Sequence, residues 1–146
     1  MRLRDLPPDD PTWDRAFPVL QQLRDHLDRP TFDALHHAGE PQGLRFTVVL
    51  TGAGPDDACL AVAGWRIVDT ASVVRKLYID DLVVDAAHRS TGIGAGLLEH
   101  LERVAVAAGA RCVELDSGHQ RTDAHRFYRA HGYRDTGLKF HRLLRT

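Results

Sequence analysis

Apolar positions along this chain recur first with a helical period, then with a period of two, then with a helical period again. Phe17, Leu20, Leu23 and Leu27 follow Asp10 and Pro11, a pair with the form of a helix N-cap and first-turn proline. Pro18 is expected to kink or delay this first helix. Thr31 after Pro30 is expected to cap a short second helix, with Phe32 and Leu35 inward and Gly39 as its stop. Leu44, Phe46, Val48 and Leu50 then alternate as a strand does, and after the breaker-rich TGAGPDDA at 51–58 a second strand runs from Leu60 to Val68. A third, Leu77 to Val84, is apolar on both faces apart from Asp80 and Asp81, which predicts a position inside the sheet. Strict alternation puts those two aspartates on opposite faces.

Ile93, Leu97, Leu98, Leu101, Val104, Ala105 and Ala108 form a helical stripe that ends at Gly109. RCVELD at 111–116 reads as a strand, SGHQR as a loop, and Thr122 to about His131 as a helix closed by Gly132. The tail LKFHRLL reads as a last strand. This order predicts a three-layer α/β domain with a mixed sheet, and one domain over residues 1–146.

Composition narrows the classes of function. No segment approaches the roughly eighteen consecutive apolar residues of a membrane span, and MRLRDLPPDDP has no apolar core of a secretory signal, so a cytoplasmic protein without a membrane partner is expected. The net charge is −1, and all but two of the 19 basic residues are arginines scattered along the chain, which disfavours nucleic acid as a partner. Cys59 and Cys112 lie in apolar strand-like runs and suit buried thiols in a reducing compartment. His119, His125, His131 and His141 crowd the C-terminal quarter without an i, i+4 pair, so no metal site is expected.

The segment DAAHRSTGIGAGLLEHL carries the chemistry. Gly92, Gly94 and Gly96 fall in the first turns of a helix, where each weakens it, and a ligand approaching the backbone is one compensation. A strand-to-helix turn of small residues aims several N–H groups and the positive end of a helix dipole at one point, which suits phosphate. The turn is neither G-x-G-x-x-G nor G-x-x-x-x-G-K-[ST]. It does fit R/Q-x-x-G-x-G/A, as Arg89, Ser90, Thr91, Gly92, Ile93 and Gly94 directly after LYIDDLVV. AHRFYRAHGY at 124–133 fits A-x-x-x-Y-x-x-x-G-[FY].

With these two motifs in this order, the second half of the chain resembles the GCN5-related N-acetyltransferases, the GNAT family. The resemblance implies a mixed, mostly antiparallel sheet with helices on both faces and a splayed pair of parallel strands, with acetyl-CoA as the donor substrate and no metal. By position it implies that acetyl-pantetheine lies against the backbone of Leu82, Val83 and Val84, with the Leu82 N–H as oxyanion donor. The pyrophosphate would rest on the N–H groups of Ser90, Thr91, Gly92, Ile93, Gly94 and Ala95, with Arg89 adding charge. Tyr128 matches the family's general acid, and Asp80 the place of a carboxylate proposed as base in some members. Arg121 stands where many members have asparagine.

The reaction implied is acetyl transfer to a primary amine of a small molecule, with a cationic acceptor favoured by the aspartates. A sensor or partner-binding module that holds acyl-CoA without turnover, and a protein or peptide N-acetyltransferase, stand as the alternatives; a homodimer stays open.

Overall fold

The computed structural model describes residues 1–52 and 54–144. The chain divides into two compact units, Met1–Leu115 and Asp116–Thr146. The first holds a five-stranded sheet in sequential order, β1 (Arg2–Asp5), β2 (Arg45–Leu50), β3 (Cys59–Thr70), β4 (Val74–Val84) and β5 (Cys112–Leu115). All pairs are antiparallel except β4 with β5. The expected mixed, mostly antiparallel sheet is therefore present, with β4 inside it. β1 was not expected: four residues with arginine at two of them carry too little apolar pattern to announce a strand.

Helix α1 (Trp13–Leu23) and helix α2 (Arg29–Gly39) cover one face, and α3 (Ile93–Ala107) covers the other. The first face is closed by an aromatic cluster in which Trp13, Phe32, Phe46 and His36 meet edge-on or tilted, with ring centroids 4.6 Å apart for Trp13–Phe32 and 4.9 Å for His36–Phe46. Val48, Leu50, Val62 and Val83 continue this core across the sheet. On the other face Trp65 donates through Nε1 to Thr47 Oγ1 at 2.9 Å, and that hydroxyl donates to Asp5 Oδ1, so the fully buried threonine is satisfied. Leu77, Leu97, Leu98 and Leu101 are buried there.

Several helix details differ from expectation. The N-cap of α1 is Thr12, while Asp10 Oδ1 accepts from Thr12 N in the preceding turn. Pro18 sits on the exposed side and α1 runs through it. Asp28, not Thr31, caps α2 by accepting from Thr31 N at 2.8 Å. Leu35 points out of the core, and His36 takes the buried place.

The second unit contains α4 (Thr122–Ala130), closed by Gly132 at φ +88°. Residues 138–144, expected as a final strand, form neither helix nor strand. Leu138, Phe140, Leu143 and Leu144 are exposed there, so the tail's apolar alternation has no sheet partner within the described residues.

His36 is 2% exposed, and its burial holds the imidazole below the ordinary histidine range. The unfolded chain therefore takes up a proton at His36 before the folded one does. Stability from this site is complete above about pH 6.5 and falls as the pH drops below it, with a slope of at most about 1.4 kcal/mol per pH unit. Replacing His36 with Leu should flatten the loss of thermal stability between pH 7 and 5, as read from melting temperatures of both proteins across that range.

Candidate active site

The site of the first unit is built on an irregularity in β4. Trp65 of β3 faces Ile79 and Gly64 faces Asp81, so Asp80 is an extra residue with no counterpart across the ladder. This bulge corrects the expectation that Asp80 and Asp81 lie on opposite faces: both line one cleft of about 390 Å³ between α2 and the sheet, together with Leu35, Leu44, Phe46 and Arg66. An inserted residue changes the alternation by one step, which is how adjacent side chains come to share a face.

Each carboxylate has its own arginine. Arg66 grips Asp80 with two prongs, Nε to Oδ2 at 2.8 Å and Nη2 to Oδ1 at 2.9 Å, and its guanidinium lies 5.3 Å from the centre of the Tyr78 ring. Arg24, just past the end of α1, donates from Nε to Asp81 Oδ1 at 2.7 Å and from Nη2 to the Asp80 carbonyl at 2.9 Å. Burial raises the Asp81 carboxyl above its usual range; Arg24 opposes that and the charge of Asp80 adds to it. Gly64 makes room for Asp81: a Cβ there would lie 2.7 Å from Asp81 Oδ2 and 2.7 Å from Phe46 Cε1.

Beyond the bulge the sheet opens. β4 pairs with β5 only from Lys76 to Ile79, and from Asp81 to Val84 its ladder partner is β3 alone. Asp85 N donates to Leu60 O at 2.8 Å, on the β3 side. The alternation of strand backbone then turns the N–H groups of Leu82 and Val84 away from β3, toward the open side.

The strand leads into the glycine turn. Asp85 is tied at both oxygens, by Gln22 Nε2 at 2.7 Å and His88 Nδ1 at 2.9 Å, and these partners hold its carboxyl below the usual range. Gln22 Oε1 accepts from Ala86 N at 2.9 Å. Thr91 Oγ1 donates to the His88 carbonyl. Ser90 and Gly92 take the left-handed conformation at φ 64° and 85°, and Gly92 is the N-cap of α3, with no side chain capping the helix. By helix geometry the N–H groups of Ile93, Gly94 and Ala95 lack acceptors inside α3. Arg89 through Gly92 are exposed, and a Cβ on Gly92 would meet nothing within 4 Å. The strand segment and the turn expected from sequence are thus contiguous, with the cleft beside them.

Tyr128 belongs to the second unit. It is half-buried on α4, 6.0 Å ring to ring from Tyr133, and desolvation raises its phenol above the ordinary tyrosine range, against the charge of Arg121. Arg121 is the N-cap of α4, and His125 Nε2 lies 2.9 Å from the Gly118 carbonyl, joining the preceding loop to the helix. Arg24, Gln22, Gly64 and Arg66 were not singled out from the sequence, since each meets its partner only through the fold. Among the described residues no group of three His, Cys, Asp or Glu side chains is placed to hold a metal ion.

The acetyltransferase (GNAT) family model matches residues 5–133. An uncharacterised N-acetyltransferase of Bacillus subtilis (strain 168), YhdJ, is 33% identical over 117 residues, covering 80% of this chain and 80% of that protein. Over 66 residues the chain is 41% identical to the aminoalkylphosphonate N-acetyltransferase of Salmonella typhimurium (strain LT2), covering 45% of this chain and 43% of that protein. The crystal structure of the aminoglycoside acetyltransferase meta-AAC0020 from an uncultured soil sample, in complex with trehalose, shares the fold with a TM-score of 0.79 at 17% identity, over 99% of this chain and 96% of that one.

The crowding around Gly64 makes a direct check of the cleft. Gly64→Ala should destabilise the protein by about 1–3 kcal/mol, the usual size for an overpacked position. A melting temperature equal to that of the wild type would show that Asp81 and Phe46 yield freely to a Cβ at Gly64.

Proposed function

The chain belongs to the acetyltransferase (GNAT) family and is an acyltransferase, and on that basis we propose that it transfers an acetyl group from acetyl-CoA to a primary amine of a small molecule. The observation that carries this reading is continuity: the two-carboxylate cleft, the segment of β4 that pairs with β3 alone and the uncapped start of α3 follow one another along the chain. Leu82, Val83 and Val84 offer the strand edge for pantetheine, and the N–H groups of Ser90 to Ala95 offer the anion site, with Arg89 beside it. The family match runs through both compact units, which supports residues 1–146 acting as one domain.

The chemistry is direct attack. The acceptor arrives as an ammonium ion and loses one proton to a cleft carboxylate, for which Asp80 and Asp81 are the candidates. The free amine attacks the thioester carbonyl, the C–N bond forms, and the oxyanion is met by the Leu82 N–H. As the C–S bond breaks, Tyr128 gives its proton to the thiolate and recovers one from the new amide nitrogen, so one proton leaves overall. The raised phenol of Tyr128 keeps that proton in place at neutral pH. The Tyr128 assignment stands on its match to the family helix motif.

Asp81 keeps one carboxylate oxygen outside its ion pair with Arg24, in a cleft walled by Leu35, Leu44 and Phe46, which suits one ammonium group on an apolar body. The relative that acts on aminoalkylphosphonate supports a small acceptor. Cytoplasmic action agrees with an acetyl-CoA donor and with two free thiols, of which Cys59 is pushed by burial up to about 11.

Two variants separate donor binding from chemistry. Gly92→Val puts a β-branched residue at φ 85° on the exposed turn and should weaken acetyl-CoA binding by about tenfold or more with the protein still folded. Calorimetry giving wild-type affinity for the folded variant would remove the turn from the donor site. Tyr128→Phe should lower kcat by about 10²- to 10⁴-fold with little change in KM for acetyl-CoA. Undiminished turnover would return Tyr128 to a packing role.

A further inference from the structure

Both aspartates of the bulge reach the cleft, yet their surroundings are not equivalent. Asp80 is engaged at both oxygens by the fork of Arg66, so a proton arriving on either oxygen disrupts a two-pronged ion pair. Asp81 is engaged by Arg24 at Oδ1 only, while Oδ2 lies over the bare Cα of Gly64 beside Phe46. The Asp81 side chain is 15% exposed against 27% for Asp80, so it is the more desolvated of the two.

We infer that Asp81, and not Asp80, receives the ammonium proton of the acceptor, and that Arg24 is the positioning residue that holds it for that task. This rests on the acetyl-transfer reading above and assigns roles within the same site. Three observations bear on it. Arg24 spans the bulge, with one donor on the Asp81 carboxylate and another on the Asp80 carbonyl, so it fixes the backbone irregularity as well as the side chain. It leaves one oxygen of Asp81 outside the ion pair. Burial favours the protonated form of Asp81 and Arg24 limits that preference, so the carboxylate is a readier proton acceptor than an exposed aspartate while staying held in place. The charged groups facing Asp81 are Arg24 from the end of α1, Asp80 on β4 and Arg66 on β3.

The step balances simply. The N–H bond of the ammonium breaks, the proton joins Asp81 Oδ2, and the amine lone pair becomes free to attack. After product release Asp81 returns the proton to solvent. Arg66 and Asp80 keep their ion pair throughout and shape the cleft wall.

The test is the pH profile of kcat/KM for one amine, taken from a screen of the wild type against alkyl and arylalkyl monoamines, polyamines and amino acids, with acetyl-CoA saturating. Five proteins are compared: wild type, Asp81→Asn, Asp80→Asn, Arg24→Gln and Arg24→Lys. Asp81→Asn should lower kcat/KM by about 10²-fold or more and erase the acid limb. Asp80→Asn should retain an acid limb. Arg24→Gln should move the limb to higher pH, because a charge that favours the carboxylate has gone, and Arg24→Lys should move it less. Should Asp81→Asn not fold, the Arg24 pair reads the same group in proteins that keep both aspartates. An acid limb lost in Asp80→Asn and kept in Asp81→Asn overturns the assignment and leaves acetyl transfer standing. Arg24→Gln that lowers only the melting temperature, with the limb unmoved, overturns the positioning role. A wild type that acetylates no amine in the screen overturns the assignment together with the reading beneath it.

Discussion

One extra residue in β4 organises most of what is distinctive in this protein. A strand that alternated without interruption would bury one of two adjacent aspartates against α3 and present the other to the cleft. The bulge at Asp80 turns both to the same side, where two arginines from different parts of the chain meet them. The same step shifts which backbone groups of β4 face β3, and the ladder to β5 ends at the bulge. A side-chain cluster and a strand edge that pairs on one side only thus meet at a single insertion.

The strong core is what allows such an irregularity. Trp13, Phe17, Phe32, Phe46 and Val83 fill the face between α1, α2 and the sheet, and the cleft lies at the margin of this cluster. Phe46 belongs to both, with one part of its ring against Trp13 and His36 and an edge beside Gly64. Burial of the aromatic cluster thus fixes the apolar wall of the cleft, while the ion pairs of the bulge fix its polar wall.

Much of this was legible in the chain. The period of two in β2 and β3, the helical stripe of α3 and the glycine turn before it are local signals, and local signals translate directly into elements. The order of elements then implied the mixed sheet. What escaped the sequence is relational. Arg24 and Asp81 are 57 positions apart, Arg66 and Asp80 are 14 apart, and no spacing rule connects them. The bulge left no mark, because Asp80 and Asp81 look like any two neighbours in a strand. β1 is short and half arginine, and its role came from pairing with β2, not from its own pattern. The tail failed in the opposite sense: residues 138–144 carry strand-like alternation, and alternation makes a strand only where an edge is there to receive it.

The end of α1 has a dual attachment. Gln22 bonds Asp85 and Ala86 where β4 enters the glycine turn, and Arg24, two residues on, bonds Asp81 and the backbone of Asp80. One helix terminus therefore braces the glycine turn and the bulge together. Turn and bulge share a single strut, so a substitution that loosens this terminus is felt at both, and tolerance to change along α1 should fall sharply in its last turn.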